Sequence, residues 1–164
     1  MRIDGRAFVV TGGCGFIGTH LVNELVRQGA GSVRALDKNP QSDLLSNALS
    51  SGRATLQAAD ITKPEELGAA MEGADALFHL AVLPLGPSNQ DMAAALNINV
   101  VGAFNVFNAA QEAGIGRVVY SSASSVYGDT EAVMDESHPL DTRSMYGATK
   151  LSAELMLRAF GTHK

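Results

Sequence analysis

Cysteine, tryptophan and clustered basic residues are scarce or missing in this sequence. The 164 residues include one cysteine, Cys14, and no tryptophan. One cysteine excludes an internal disulfide and a metal site built from clustered cysteines, and we predict no metal site. Twelve lysine and arginine residues stand against 17 acidic residues, for a formal net charge of -5. Because no basic run occurs, we do not expect nucleic acid as a partner.

Long apolar runs are missing as well. No stretch of 18 consecutive apolar residues occurs, which predicts no membrane span and no membrane partner. The first apolar run covers only residues 7–10, which is too short for the core of a signal peptide. These features predict a cytoplasmic protein. The composition, 46% hydrophobic and 18% charged, is typical of a folded globular domain.

Short apolar segments alternate with amphipathic ones along the chain. Five strands are predicted at residues 7–10, 32–36, 54–58, 76–81 and 117–121. Helices are predicted at residues 16–28, 44–49, 62–71, 90–113 and 145–160, with loops over 83–88 and 123–141. This order predicts an α/β fold with a doubly wound parallel sheet, covered by helices on both faces. We expect a single domain over residues 1–164.

A glycine-rich turn joins the first predicted strand to the first helix. Gly12, Gly13, Gly15 and Gly18 fit both G-x-x-G-x-x-G and G-x-G-x-x-G. In a dinucleotide site, such glycines allow a tight turn, close backbone approach to a pyrophosphate and close helix–strand packing. The free N–H groups at the helix start would then bind the phosphates. The position of the motif favours dinucleotide binding over a plain structural turn.

Asp37 ends the second predicted strand, 19 residues after Gly18. A carboxylate there accepts hydrogen bonds from the adenosine ribose and repels a 2′-phosphate, which favours NAD over NADP. The alternative is an aspartate that only begins a turn, and the neighbouring Lys38 weakens the preference.

Tyr146 and Lys150 lie four residues apart at the start of the last predicted helix, so their side chains share one face. A cation beside a phenol lowers the phenol pKa, which makes Tyr146 a candidate acid/base near neutral pH. The alternative is a polar pair on a solvated helix face.

Taken in order and spacing, these motifs resemble the NAD-dependent epimerase/dehydratase family of extended short-chain dehydrogenases/reductases, of which UDP-galactose 4-epimerase is a member. The matching stretches are residues 11–18, Asp37, 60–61, 79–81, 99–105, 120–128 and 146–150. The resemblance implies a Rossmann-like sheet with strand order 3-2-1-4-5, NAD as cofactor and a nucleotide sugar as substrate, with a UDP-sugar expected first.

The resemblance also assigns roles to individual residues. The implied cofactor contacts are Gly12, Gly15, Phe16, Ile17, Gly18, Asp37, Asp60, Ile61, Leu80, Ala81, Asn99, Tyr146 and Lys150. Phe16 and Ile17 would lie at the pyrophosphate, Asp60 and Ile61 beside the adenine, and Leu80 and Ala81 along the cleft. Asn99 would face the same cleft from the long helix, or else serve only in helix packing. Lys150 would bond the nicotinamide ribose, while Tyr146 takes the proton of the sugar hydroxyl as hydride passes to NAD.

Two departures from the family pattern affect the predicted activity. Ala123 occupies the position of the family's catalytic Ser or Thr, so either Ser122 or Ser124 replaces it or one proton-relay group is missing. The chain is also about half the family's length, without the C-terminal strands and substrate domain. We therefore expect the NAD-binding part of an epimerase or dehydratase that is inactive by itself. The alternative is a non-catalytic NAD-binding or partner-binding module; an NADPH-dependent reductase is disfavoured by Asp37.

Small and apolar residues mark a predicted interface. The helix over 90–113 carries Ala93, Ala94, Ala95, Gly102 and Ala103, and the helix over 145–160 carries Leu151, Leu155 and Met156. Family members commonly dimerise through this helix pair, so the resemblance implies a homodimer. The alternative is that both helices bury these residues within their own subunit.

Overall fold

Five parallel strands form a single sheet in a computed structural model of the protein that describes residues 2–162. The strand order is β3-β2-β1-β4-β5, and each neighbouring pair is parallel. The strands are β1 (Ala7–Thr11), β2 (Ser32–Asp37), β3 (Ala54–Ala58), β4 (Ala76–His79) and β5 (Arg117–Tyr120). Helices flank this sheet, and the predicted Rossmann-like α/β class and strand order are confirmed. The predicted domain, residues 1–164, extends beyond the described residues at both ends.

Seven α-helices connect and follow the strands in the described chain. They are α1 (Phe16–Arg27), α2 (Ser46–Ser50), α3 (Gly68–Met71), α4 (Leu85–Gln90), α5 (Met92–Leu96), α6 (Ala103–Glu112) and α7 (Met145–Thr162). Three 3-10 turns, Asp43–Leu45, Pro64–Glu66 and Ser124–Tyr127, and a six-residue π-helix, Asn97–Gly102, supplement them.

Several of these segments differ from the sequence prediction, and three differ most. The loop predicted over 83–88 is wrong from Leu85 onward, because Pro87 falls in the first turn of α4, where a missing N–H is not needed. The helix predicted over 62–71 is only a 3-10 turn and one α-helical turn. The helix predicted over 90–113 is divided: Asp91 caps α5 by accepting a bond from the Ala94 N–H at 2.9 Å, and the π-helix separates α5 from α6.

Strand β1 is an uninterrupted apolar run because the core of the protein covers both of its faces. Phe8, Val9 and Val10 are each 0% exposed, as expected for a strand covered on both faces. Phe8 and Val10 belong to a buried cluster with residues of α1, β2, α2 and β3. Val22 and Leu25 supply the α1 side of this cluster, at helical spacing.

Residue contacts divide the chain into two compact units. The sheet unit comprises the residues up to 81 together with residues 105–121, and therefore contains all five strands. The helical unit comprises residues 82–104 and those from 122 onward, including α4, α5, the π-helix and α7. Each unit is described separately below.

One helical stretch, Met92–Glu112, is long and apolar enough by length and composition to cross a membrane. The core helix of a globular protein meets the same criterion, and Ala95, Val106 and Phe107 within this stretch are buried. The absence of membrane contact therefore stays a prediction.

Candidate functional site

The glycine turn in the sheet unit is closed by backbone contacts that leave no space for side chains. Gly12 has φ +68°, and a Cβ atom there would lie 2.7 Å from the backbone nitrogen of Ala81. A Cβ atom on Gly18 would overlap the carbonyl oxygen of Gly12. The end of β1, the start of α1 and the segment after β4 are therefore in direct backbone contact, which only glycine allows at these two positions.

The start of α1 is open toward solvent and carries no negative charge. Gly15 is the N-cap residue, no side chain caps the helix, and its first turn has no acidic residue. The Thr19 N–H donates to the Gly15 carbonyl at 2.9 Å, so the N–H groups of the preceding turn have no partner within the helix. Phe16 and Ile17 are 81% and 60% exposed. This arrangement suits a bound phosphate.

Asp37 connects the end of β2 to the glycine turn. Its Oδ2 accepts a hydrogen bond from the Cys14 N–H at 3.0 Å, and its Oδ1 accepts one from the Asn39 N–H at 3.0 Å. The second bond is the turn predicted as the alternative role. Each carboxylate oxygen still has a lone pair for a further donor, so the ribose role is compatible with this geometry.

Asp60 and Ile61 follow β3 and are held by local bonds. Asp60 Oδ1 accepts bonds from the Thr62 N–H at 3.0 Å and from the Thr62 hydroxyl at 2.8 Å, and these bonds hold the pKa of Asp60 below its ordinary value. Lys38 Nζ lies 3.4 Å from Asp60 Oδ2. The carbonyl of Ile61, a buried residue, accepts a bond from Asn105 Nδ2 at 3.0 Å.

Thr11 and His79 complete the sheet-unit site, and sequence analysis assigned no role to either side chain. Thr11 Oγ1 accepts bonds from the Leu80 N–H at 3.2 Å and the Ala81 N–H at 3.3 Å, and lies 2.7 Å from His79 Nδ1. β4 ends at His79 and not at residue 81, directly before the residues that donate these bonds. The signal available in the sequence is a threonine directly before the glycine motif, at the end of an apolar strand.

Asn99, in the helical unit, is 3% exposed and its amide is bonded within that unit. Its Oδ1 accepts a bond from the Leu83 N–H at 2.7 Å, while its Nδ2 donates to the Leu83 carbonyl at 3.1 Å and to Thr149 Oγ1 at 3.2 Å. The structure therefore favours the packing role for this side chain, and its contact with a cofactor stays a prediction.

Tyr146 and Lys150 occupy the first turns of α7, also in the helical unit. Lys150 is 3% exposed, and burial lowers its pKa to about 8 against the opposing effect of Glu154. Tyr146 is half-buried, and burial raises its pKa above the ordinary value. The predicted lowering of the Tyr146 pKa is thus wrong for this structure, because desolvation disfavours the charged phenolate.

The serines around Ala123 differ in what surrounds their hydroxyl groups. The Ser122 hydroxyl donates to Glu154 Oε1, and Ser124 is exposed. Ser125, which sequence analysis did not select, has a buried hydroxyl without a hydrogen-bond partner among residues 2–162. Its carbonyl oxygen would lie 2.5 Å from a Cβ atom on Gly147, so Ser125 packs directly against the turn of α7 that carries Tyr146.

Residues 8–164 match the model of the NAD dependent epimerase/dehydratase family. The chain belongs to this family. The predicted family is thus confirmed, and NAD is confirmed as the cofactor on which the family depends.

Similar proteins in this family differ in their substrates. The chain is 33% identical over 170 residues to 3beta-hydroxysteroid-dehydrogenase/decarboxylase isoform 1 of Arabidopsis thaliana. The aligned region covers 95% of this chain and 38% of the plant protein. It superposes on MoeE5 in complex with UDP-glucuronic acid and NAD with a TM-score of 0.86 at 36% identity, covering 96% of this chain and 50% of MoeE5. For a UDP-galactose 4-epimerase the TM-score is 0.84 at 34% identity, with coverage of 96% and 52%. The chain therefore spans about half or less of the length of these relatives.

Within residues 2–162, no group of three or more histidine, cysteine or acidic side chains is arranged to hold a metal ion.

Proposed function

We propose that the sheet unit binds NAD at the glycine turn. The observation that carries this proposal is the open, uncapped start of α1 beside a turn closed by glycines. The N–H groups of Phe16 and Ile17 bind the pyrophosphate, and the helix dipole adds to this attraction. Asp37 accepts hydrogen bonds from the adenosine ribose, and Asp60 with Ile61 borders the adenine.

Asp37 also accounts for the proposed preference for NAD over NADP. A 2′-phosphate would bring negative charge against its carboxylate. Lys38, the nearest cation in sequence, is paired with Asp60, which reduces its attraction for a phosphate. Bound NAD supplies the capacity to accept a hydride from a substrate carbon and to return it.

We propose that the helical unit supplies the acid and base. The Tyr146 phenolate takes the proton of a substrate hydroxyl, and the phenol gives the proton back in the reverse step. We propose that Lys150, four residues further along the same helix, binds the ribose of the nicotinamide half of the cofactor.

Ser125 is the hydroxyl that we propose as the substrate contact in place of the family's Ser or Thr at position 123. A buried hydroxyl without a partner costs about 1–3 kcal/mol, which a bound substrate hydroxyl would relieve. The Ser122 hydroxyl already donates to Glu154, and Ser124 is exposed to solvent. We therefore propose Ser125, and neither Ser122 nor Ser124, as the relay group.

The substrate class that we propose is a nucleotide sugar, with a UDP-sugar first, in an epimerase or dehydratase reaction. The similarity to MoeE5 and to UDP-galactose 4-epimerase supports this choice. A second candidate is the NAD-dependent oxidation of a secondary alcohol such as a 3β-hydroxysteroid, which the similarity to hydroxysteroid dehydrogenases supports. Both reactions need the same acid/base at Tyr146.

One experiment tests binding and chemistry separately. Calorimetry measures NAD and NADP binding, and the protein is then incubated with NAD and either a UDP-sugar panel or a 3β-hydroxysteroid. Chromatography detects epimer or dehydrated sugar, and absorbance at the NADH band detects net oxidation. We expect NAD binding and no turnover of UDP-sugars by these 164 residues alone. Turnover of a UDP-sugar that disappears in Tyr146→Phe would contradict the expected inactivity and would support the role of Tyr146. Failure to bind NAD would refute the proposed function.

We also propose that the helical unit mediates self-association. It exposes five large apolar side chains along α5, the π-helix, the start of α6 and α7: Met92, Leu96, Val101, Phe104 and Leu155. A second copy of the chain would cover this apolar face. Of the small residues predicted at the interface, Ala95, Gly102 and Ala103 are instead buried within the chain.

A further inference from the structure

His79 is a buried titratable side chain that the proposed function does not use. It is 1% exposed and is the last residue of β4, in the sheet unit. Its ring stacks on that of Tyr120 and meets that of Phe107 edge-on, in both cases with centroids 5.5 Å apart. Thr11 lies opposite His79 in the parallel pairing of β1 with β4, so both side chains point to the same face of the sheet. The aromatic neighbours thus hold the ring beside the Thr11 hydroxyl.

The Thr11 hydroxyl has three close polar neighbours. Two are the N–H groups of Leu80 and Ala81, whose nitrogens lie 3.2 and 3.3 Å from Oγ1, and the third is His79 Nδ1 at 2.7 Å. The Leu80 N–H is shared with the Thr11 carbonyl oxygen at 3.1 Å. The Ala81 N–H has the Thr11 hydroxyl as its only acceptor within residues 2–162.

The direction of the bond between Thr11 and His79 follows from the numbers of donors and acceptors. A hydroxyl offers one hydrogen and two acceptor lone pairs, whereas a backbone N–H can only donate. Because the N–H groups of Leu80 and Ala81 occupy the acceptor positions of Oγ1, the hydroxyl hydrogen is directed to His79 Nδ1. Nδ1 is therefore the acceptor, and a neutral imidazole that accepts at Nδ1 carries its proton on Nε2.

The opposite direction would leave the hydroxyl hydrogen unpaired. A proton on His79 Nδ1 would bring a third N–H to an oxygen with two lone pairs. The hydrogen of the Thr11 hydroxyl would then have no acceptor within the described chain. Thr11 is 0% exposed, and an unsatisfied buried donor is costly. The geometry therefore selects one state of the histidine ring.

The backbone that Thr11 holds is the backbone against which the glycine turn closes. A Cβ atom on Gly12 would lie 2.7 Å from the Ala81 nitrogen and 2.9 Å from the Leu80 carbonyl carbon. The hydroxyl and this close contact together fix the segment after β4 beside the proposed pyrophosphate site. A hydroxyl that rotates away from these N–H groups would release the Ala81 side of the contact.

We propose that His79 is a positioning residue for the cofactor site: as a neutral ring with its proton on Nε2, it accepts the Thr11 hydroxyl hydrogen and so keeps Oγ1 directed at the Leu80 and Ala81 N–H groups. The consequence for the cofactor rests on the proposed function, whereas the direction of the hydrogen bond does not.

The first test is NMR of the histidine ring nitrogens in the whole wild-type protein, at about pH 8, where an ordinary histidine is neutral. The sequence has four histidines, and the contacts of His79 with the rings of Tyr120 and Phe107 identify its signals. We expect a protonated Nε2 and an unprotonated Nδ1. A proton found on Nδ1 would overturn the proposal without the need for any variant.

The second test removes the hydroxyl and follows amide hydrogen exchange. Thr11→Val retains the shape of the side chain but leaves the Ala81 N–H without its acceptor, so exchange at Ala81 should become faster. The Leu80 amide is an internal control, because the Thr11 carbonyl still accepts its N–H. Thr11→Ser retains the hydroxyl and should restore slow exchange at Ala81. Unchanged exchange at Ala81 in Thr11→Val would contradict the proposed bond.

The third test separates positioning by His79 from simple filling of the core. His79→Phe retains an aromatic ring against Tyr120 and Phe107 but has no acceptor for the Thr11 hydroxyl. We expect faster exchange at Ala81 and, in calorimetry, NAD binding that is weaker by about fivefold, as for Thr11→Val. A folded His79→Phe protein with wild-type exchange at Ala81 would overturn the positioning role, because a space-filling ring predicts that result. If His79→Phe does not fold, the two threonine variants and the wild-type ring nitrogens still decide the proposal.

Thr55→Val is the matched control, because it makes the same exchange at an exposed position of β3 in the same unit. It should change neither exchange at Ala81 nor NAD binding. Variants with faster exchange at Ala81 and wild-type NAD affinity would overturn the role of His79 toward the cofactor. A wild-type protein that fails to bind NAD would instead refute the proposed function and leave the hydrogen-bond assignment standing.

Discussion

Gly18→Ala should destabilise the protein, although alanine is normally the better helix residue. In an open helix the exchange would stabilise the fold by up to about 1 kcal/mol. At Gly18 the new Cβ atom would overlap the Gly12 carbonyl oxygen and lie 2.8 Å from Gly13 Cα. Both obstacles are backbone atoms of a closed turn, so they cannot move aside as a flexible side chain would.

The magnitude follows from weighing these two effects. Overpacking of a tight site costs about 1–3 kcal/mol, and a backbone obstacle places Gly18 at the upper end of that range. After the gain in helix propensity, we expect a net loss of about 2 kcal/mol in the free energy of unfolding. The displaced turn should also weaken NAD binding by about tenfold, since the N–H groups at the start of α1 move with it.

Gly68→Ala is the matched control for this prediction. Gly68 also lies in a helix, α3, but a Cβ atom there would meet no other atom within 4 Å. The control should be neutral or stabilising by up to about 1 kcal/mol and should leave NAD binding unchanged. Urea unfolding followed by circular dichroism gives the stabilities, and calorimetry gives the affinities. A Gly18→Ala protein as stable as the wild type would refute the reasoning.

Three further predictions concern the cofactor, a buried charge and assembly. Asp37→Ser should narrow the preference for NAD over NADP in calorimetry; equal binding of both by the wild type would show that Asp37 does not face the ribose. Lys150→Met should raise the free energy of unfolding at pH 7 by up to roughly 3 kcal/mol, because the folded state no longer buries an ammonium group whose pKa is lowered to about 8. Because the folded-state pKa lies below the unfolded value of 10.5, the free energy of unfolding of the wild type should rise between pH 8 and 10.5. This rise should be absent in Lys150→Met. An equal rise in both proteins would contradict the lowered pKa of Lys150. Phe104→Asp with Leu155→Glu should convert a dimer into a monomer by light scattering at micromolar concentration, whereas a wild-type monomer would refute the proposed interface.

Local sequence patterns were sufficient to predict the five parallel strands and the cofactor turn, whereas the order of the strands came from the family resemblance. The run at residues 7–10 predicts a doubly covered strand because burial on both faces leaves no place for polar side chains. The spacing of Gly12 and Gly18 likewise follows from a backbone that passes within contact distance of itself. Both features depend on residues that are close together in the chain, so the sequence pattern shows them directly.

Elements that depend on weaker local preferences were predicted less well. Pro87 is equally compatible with a loop and with the first turn of a helix, and the π-helix at Asn97–Gly102 interrupts a segment whose composition suits one continuous α-helix. In both places the choice depends on packing within the helical unit and not on propensity.

The sequence by itself determined the α/β fold, the glycine turn and several of the groups proposed to carry chemistry, among them Tyr146 and Lys150, but not Ser125. What only the tertiary structure decided is the state of those groups. Asn99 is bound to Leu83 and Thr149, 16 and 50 residues away, and Ser122 to Glu154, 32 residues away, while the hydroxyl of Ser125 is left without a partner in the described chain. The pKa values of Tyr146 and Lys150 move in the directions set by burial. Hydrogen-bond partners and desolvation arise from residues distant in sequence, and no local pattern contains them.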